Sequence, residues 1–204
     1  MKIIDGIKEK GSPFEIPNCG RDDLPEFFKE MDYKVGAEIG TLRGEFTEKF
    51  CQAGFKMFAI DVWGNYPEYR RYSYEEPQEV IYQAAKERLA PYDCTLIRKF
   101  SMDALKDIPD GSLDFIYIDG SHSFPFVVND IFWWNKKVRT GGALAGHDYW
   151  TSDPARRGPY SIHVCHVKYA VDIIAKIFAV PNFYILGQYR DANRDKWRSW
   201  LWLK

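Results

Sequence analysis

The sequence predicts an α/β domain built as a doubly wound, largely parallel sheet with helices on both faces. Three observations carry that expectation. From residue 33 onwards, short apolar segments of strand length alternate with segments of helix length, the order that builds βαβ units. The strand segments lack a clean apolar–polar alternation, so both of their faces are expected to be covered. Polar and glycine-bearing clusters fall at the carboxyl ends of these strands, the edge on which open α/β sheets bind ligands.

The elements follow in order. Residues 1–22 are rich in Gly, Pro and charge and read as an irregular leader. Asp22-Asp23-Leu24-Pro25 starts a helix, with Pro in its first turn, that runs to about residue 31. A strand is expected over 33–39, a turn over 40–44, and a helix over 45–53 with Phe46 and Phe50 on one face. A second strand covers 56–60 and ends at Asp61; residues 62–74 form an aromatic, Arg-containing loop. A helix over 77–89 leads to strands at 94–98 and 113–118. A helix over 124–138 is bounded by Gly141-Gly142, and a short fifth strand covers 143–145. After a loop at 149–160 come a helix over 162–178 and two closing strands at 183–186 and 199–203.

With 204 residues the chain is long enough for one sizeable core and marginal for two. The expected division is a leader and helix over 1–32 and one domain over 33–204. A formal net charge of -1 leaves no electrostatic footprint for nucleic acid and no polybasic membrane signal. Cys19, Cys51, Cys94 and Cys165 are widely spaced without a C-x-x-C pair, as in a reduced cytosolic protein rather than a disulfide or zinc framework. The charged first residues lack a signal-peptide core, and no apolar run has membrane-spanning length. The expected location is the cytoplasm.

Four motifs carry the chemistry. In Glu38-Ile39-Gly40-Thr41-Leu42-Arg43-Gly44, the glycines permit a sharp turn and close backbone approach, and Glu38 offers a carboxylate to a cationic amino group. The spacing is not G-x-G-x-x-G, which weighs against a nicotinamide or flavin enzyme; a plain strand–turn–helix is the bland alternative. Asp61, followed by Val62 and Trp63, ends the second strand about 20 residues after the glycine turn, where an acid can bind ribose hydroxyls; capping or solvation is the alternative. Ser101-Met102 follows the third strand and suits the border of an adenine ring, or equally an N-cap.

The most specific stretch is Ile118-Asp119-Gly120-Ser121-His122, followed by a helix through Asp130 and then Gly146-His147-Asp148-Tyr149. Two strand ends thus bring Asp119 and Asp148 together, as a hard divalent cation requires. His122 is placed to accept a proton, with His147 beside it. Asp130 reads as a structural partner. His163, Cys165 and His166 lie too close in sequence to close a zinc site by themselves.

These motifs resemble the class I S-adenosylmethionine-dependent methyltransferases, and more narrowly the methyltransferase domain 24 family, over about residues 33–203. The resemblance implies a Rossmann-like sheet of seven strands with an antiparallel last strand. It implies a cofactor site at Glu38, Gly40, Thr41, Asp61, Val62, Ser101, Met102 and Asp119. It also implies magnesium at Asp119 and Asp148 and a base at His122. Catechol-type relatives carry an Asp-Asn pair as the second ligand group, whereas this chain has His147-Asp148.

The expected function is methyl transfer from S-adenosylmethionine to a small-molecule or sugar hydroxyl, with His122, Asp119 and His147 as the catalytic set. Trp63, Tyr66, Tyr69, Arg70, Arg71, Trp150, Arg156 and Arg157 suit a ring-bearing or anionic acceptor. A nitrogen acceptor, a dinucleotide-dependent oxidoreductase and a non-catalytic binding protein are the alternatives. A homo-oligomer is left open.

Overall fold

The computed structural model describes residues 1–64, 76–151, 165–187 and 197–204. Eight strands form one sheet: β1 (Phe14–Ile16), β2 (Val35–Ile39), β3 (Lys56–Asp61), β4 (Cys94–Arg98), β5 (Leu113–Ile118), β6 (Val138–Gly146), β7 (Phe183–Leu186) and β8 (Trp200–Leu203). Their spatial order is β1-β7-β8-β6-β5-β2-β3-β4. All neighbouring pairs are parallel except those made by β8, which runs antiparallel to β6 and β7. The fold is the Rossmann-like fold expected, with one strand more than the seven read from sequence.

The extra strand is β1, within the stretch expected to be irregular. Three residues are too short to show a period, but Phe14, Glu15 and Ile16 pair in register with Tyr184, Ile185 and Leu186. A short helix, α1 (Ile3–Gly6), precedes it and a 3-10 turn (Arg21–Asp23) follows.

The sheet is covered on both faces because successive side chains along a strand point to opposite faces and both sets are apolar. Along β5, Phe115 and Tyr117 join a core with Phe27 and Phe28 of α2 (Leu24–Glu30) and Phe46 and Phe50 of α3 (Glu45–Gln52). Ile116 and Ile118 enter the opposite core, with Val127, Ile131 and Trp134 of α6 (Phe124–Trp134) and Ala170, Val171 and Ile174 of α7 (Val167–Ile177). The Phe28 ring stacks on Phe115 at 4.3 Å. Burying each such ring contributes about 1.5–3 kcal/mol, which fixes α2 on the sheet despite its two turns. The remaining helices are α4 (Gln78–Leu89), the single turn α5 (Ser101–Ala104) and a 3-10 turn (Leu105–Asp107).

Two expected boundaries move. The helix read over 124–138 stops at Trp134, because Lys137 and Val138 turn into β6, where Val138 pairs with Leu113. Gly141-Gly142 does not end a helix; it lies inside β6, at the irregularity between the Leu113 and Phe115 pairings. Among the described residues, no helix is long and apolar enough to cross a membrane.

Candidate active site

The parallel strands β2, β3, β5 and β6 end on one edge of the sheet, and that edge collects the polar motifs. Gly40 shows how tightly the first is built. Its φ is +88°, and a Cβ there would lie 2.1 Å from the Asp119 carbonyl oxygen. Glycine is the residue that tolerates both the left-handed backbone and that approach. The Asp119 N–H in turn donates to the Ile39 carbonyl at 2.8 Å, so the glycine turn and the end of β5 form one rigid unit.

Glu38 is buried, with Thr47 of α3 donating its hydroxyl to Oε2. Burial, opposed by the Thr47 hydrogen bond and by Arg21, pushes its pKa up to about 8. A desolvated acid in this state is poised to accept a cationic partner. Thr41 is also buried, and its Oγ1 has no hydrogen-bond partner. Asp61 accepts from the Leu42 N–H at 2.9 Å and the Trp63 N–H at 3.0 Å. Burial raises its pKa, against the pull of these backbone amides. A carboxylate has about four lone-pair sites, so acceptor capacity is left for a ligand hydroxyl.

Ser101, at the start of α5, does not cap its helix. Its hydroxyl donates to Asp130 and accepts from the Trp134 indole N–H at 2.8 Å. Met102 packs partly buried against the core. Val62 follows Asp61 in the loop leaving β3. Trp63 is buried and donates its indole N–H to the Leu42 carbonyl at 2.7 Å, so it braces the glycine turn.

Asp119, His122, His147 and Asp148 come together as the sequence suggests. His122 Nε2 lies 2.9 Å from Asp148 Oδ2 and 4.0 Å from Asp119 Oδ1. His147 Nδ1 lies 3.4 Å from Asp148 Oδ2 and 3.8 Å from Asp119 Oδ1. Burial raises the Asp119 pKa to about 6, moderated by His147 and reinforced by Asp148. Burial pulls Asp148 the same way, but its hydrogen bonds to His122 and His147 prevail and hold it well below the usual carboxylate range. Burial alone would lower the His122 pKa; the hydrogen bond and charge of Asp148 override it, and the net shift is upward.

Asp148 has a φ of 56°, a left-handed conformation that aspartate adopts more readily than most residues. Trp150 donates its indole N–H to Asp148 Oδ1 at 3.3 Å and stacks on Trp197 at 4.5 Å. Tyr149 donates to Asp172 of α7 at 2.6 Å, a structural tie. His166 also serves structure: its N–H donates to the His122 carbonyl at 2.8 Å and its Nδ1 accepts from Phe124. Cys165 is buried and donates to the Trp150 carbonyl at 3.3 Å. Tyr66, Tyr69, Arg70, Arg71, Arg156, Arg157 and His163 lie outside the described residues.

Sequence reasoning passed over Arg21. Its guanidinium lies over the Phe46 ring at 5.2 Å and reaches Asp119 Oδ2 at 3.5 Å. Nothing in the pattern around it marks it out; it enters the site because β1 carries the preceding segment to this edge.

The fold recurs in known proteins. An O-methyltransferase involved in tomaymycin synthesis, TomG from Streptomyces achromogenes, in complex with SAM, matches with a TM-score of 0.60 at 14% identity, over 89% of this chain and 77% of that one. An O-methyltransferase from Bacillus cereus in complex with SAH matches with a TM-score of 0.59 at 15% identity, over 90% of this chain and 80% of that one. At these identities the likeness is one of fold. The uncharacterized protein y4gI of Sinorhizobium fredii is 30% identical over 117 residues, 54% of this chain but 12% of that protein's length. The profile of the methyltransferase domain family, domain 24, matches residues 37–149, more than half of the chain and every strand-end motif from Glu38 to Tyr149, and the chain belongs to that family.

Proposed function

We propose that the protein transfers a methyl group from S-adenosylmethionine to a hydroxyl of a small, ring-bearing acceptor. The observation that carries this reading is the His122–Asp148 pair, set at 2.9 Å on the same sheet edge as Glu38 and Asp61. The residues fit the cofactor. Glu38 suits its ammonium, Asp61 its ribose hydroxyls, and the buried, unpartnered Thr41 hydroxyl supplies a polar contact to a bound ligand. Complexes of two fold relatives with SAM and SAH support the same choice.

When bound, the cofactor supplies an activated methyl on a sulfonium centre. The chain's residues do the rest. With Nε2 of His122 hydrogen-bonded to Asp148, Nδ1 is the basic nitrogen that takes the acceptor's hydroxyl proton. Such proton transfer is worth roughly 10²–10⁴-fold in rate when the base is well placed; Asp148 holds the ring and balances the imidazolium charge. The stacked indoles of Trp150 and Trp197 offer an apolar face that suits an aromatic or sugar ring. Calorimetry with S-adenosylhomocysteine, followed by labelled-methyl turnover over hydroxyl and amine acceptors, tests the reading. No binding, or turnover restricted to amines, would overturn it.

A second reading has its own observation. Asp119, His122 and Asp148 each offer a ligand atom within 4.8 Å of the others. Two carboxylates suit magnesium, whereas the imidazole shifts the preference towards manganese and other transition ions. A cation held by Asp119 and Asp148 would lower the hydroxyl's pKa. Turnover that vanishes on chelation and returns with a divalent cation would favour it.

A further inference from the structure

The segment between β1 and α2 brings a charged side chain to the ligand edge. β1 is parallel to β7, which has the same direction as β6, so β1 ends on the edge where β2, β3 and β5 end. The chain leaving Ile16 therefore emerges on the edge that carries the candidate site, outside β7 and β8. A 3-10 turn, fixed by the Gly20 N–H donating to Asp23 Oδ2 at 2.8 Å, then presents Arg21. Its side chain is 38% exposed, with one side laid against Phe46 at the start of α3 and the end 3.5 Å from Asp119 Oδ2.

That ion pair is longer than an ordinary N–H···O bond, and a guanidinium's five donors can serve more than one acceptor. Resting on the cofactor reading above, the chemistry of a second acceptor follows. The amino-acid end of S-adenosylmethionine is a zwitterion. Glu38 suits its ammonium, but Glu38 and Asp119 would both repel its carboxylate. A cation is needed at the same place, and Arg21 brings a permanently charged guanidinium there. We propose that Arg21 binds the carboxylate of the cofactor's amino-acid end, so that the β1–α2 segment is part of the cofactor site. A planar guanidinium grips a carboxylate through paired N–H groups, which a lysine ammonium does not reproduce.

The test compares two ligands on three proteins by calorimetry. The ligands are S-adenosylhomocysteine and its decarboxylated analogue, which keeps the adenosine, thioether and ammonium. The native protein should prefer the carboxylate-bearing ligand by about tenfold or more. In Arg21→Gln that preference should vanish through loss of S-adenosylhomocysteine affinity, with the analogue bound as before or more tightly. Arg21→Lys should recover part of it. Equal weakening of both ligands in Arg21→Gln would make Arg21 structural and overturn the proposal; so would unchanged binding of both. Failure of the native protein to bind either ligand would instead remove the cofactor reading, and this assignment with it.

Discussion

His122 and Asp148, from loops that follow different strands, meet through Nε2 and Oδ2 at 2.9 Å. Asp148 makes the contact from a left-handed backbone, and the His122 carbonyl accepts from the His166 N–H. If the pair removes the acceptor's proton, His122→Ala should lower turnover by about 10²-fold or more while S-adenosylhomocysteine affinity stays within about twofold. Single-turnover kinetics beside calorimetry separate the two effects. A variant that keeps its rate would assign His122 to structure and proton removal to another group.

Glu38→Gln should separate binding from folding. With its pKa pushed up to about 8 by burial, Glu38 is largely protonated at neutral pH in the free protein, and glutamine resembles that form. A buried acid raised in this way favours folding fully below its unfolded pKa of about 4, and the contribution is lost as pH rises through about 8. The variant should therefore melt at or above the native temperature, most clearly near pH 9. Cofactor affinity should fall by about tenfold or more, since a charge-assisted hydrogen bond is lost. A melting temperature that drops while affinity per folded molecule holds would contradict this.

Asp130 gives a second pH signature. Burial raises its pKa to about 7, opposed by the Ser101 hydrogen bond. Its contribution is complete below about pH 4 and lost as pH rises through 7. The gap corresponds to at most about 4 kcal/mol. Asp130→Asn should flatten the fall in Tm between these limits and leave the variant at least as stable as the native protein above pH 7. A steeper pH dependence in the variant would show that the ionised carboxylate stabilises the fold.

Chelation should leave most of the turnover intact under the base mechanism, because Asp148 is already committed to His122 and to the Trp150 indole. Treatment with a strong chelator, then back-titration with magnesium and manganese, measures this. Activity that depends on the added ion would move His122 from base to ligand.

Much of this was legible in the sequence because it is carried by local pattern. Glu38, Asp61, Asp119 and Asp148 each lie at or just beyond the end of a recognisable apolar strand, and parallel topology sends all of those strand ends to one edge. Asp130 was legible as a structural residue for a similar reason: it faces inward on α6, where Ser101 and Trp134 complete a short polar chain. What sequence could not supply depends on distant pairing. β1 exists because β7 offers it a partner, 170 residues away in register at Phe14 and Tyr184, and Arg21 reaches the site only because β1 does. The end of α6 was misjudged because Lys136 and Lys137 carry no break signal, and pairing of Val138 with Leu113 decides the matter.

The short strand β1 also has a bearing on solubility. It covers the outer edge of β7, whose four residues Phe183, Tyr184, Ile185 and Leu186 are all buried. In its place it presents three residues, with Glu15 paired to Arg198 at 2.6 Å. An apolar edge strand with open N–H and C=O groups recruits other chains, whereas a shorter edge carrying a charge resists them. Shortening the protein to begin after Ile16 would thus leave β7 as a self-associating ribbon, and loss of monodispersity would accompany any change in ligand affinity.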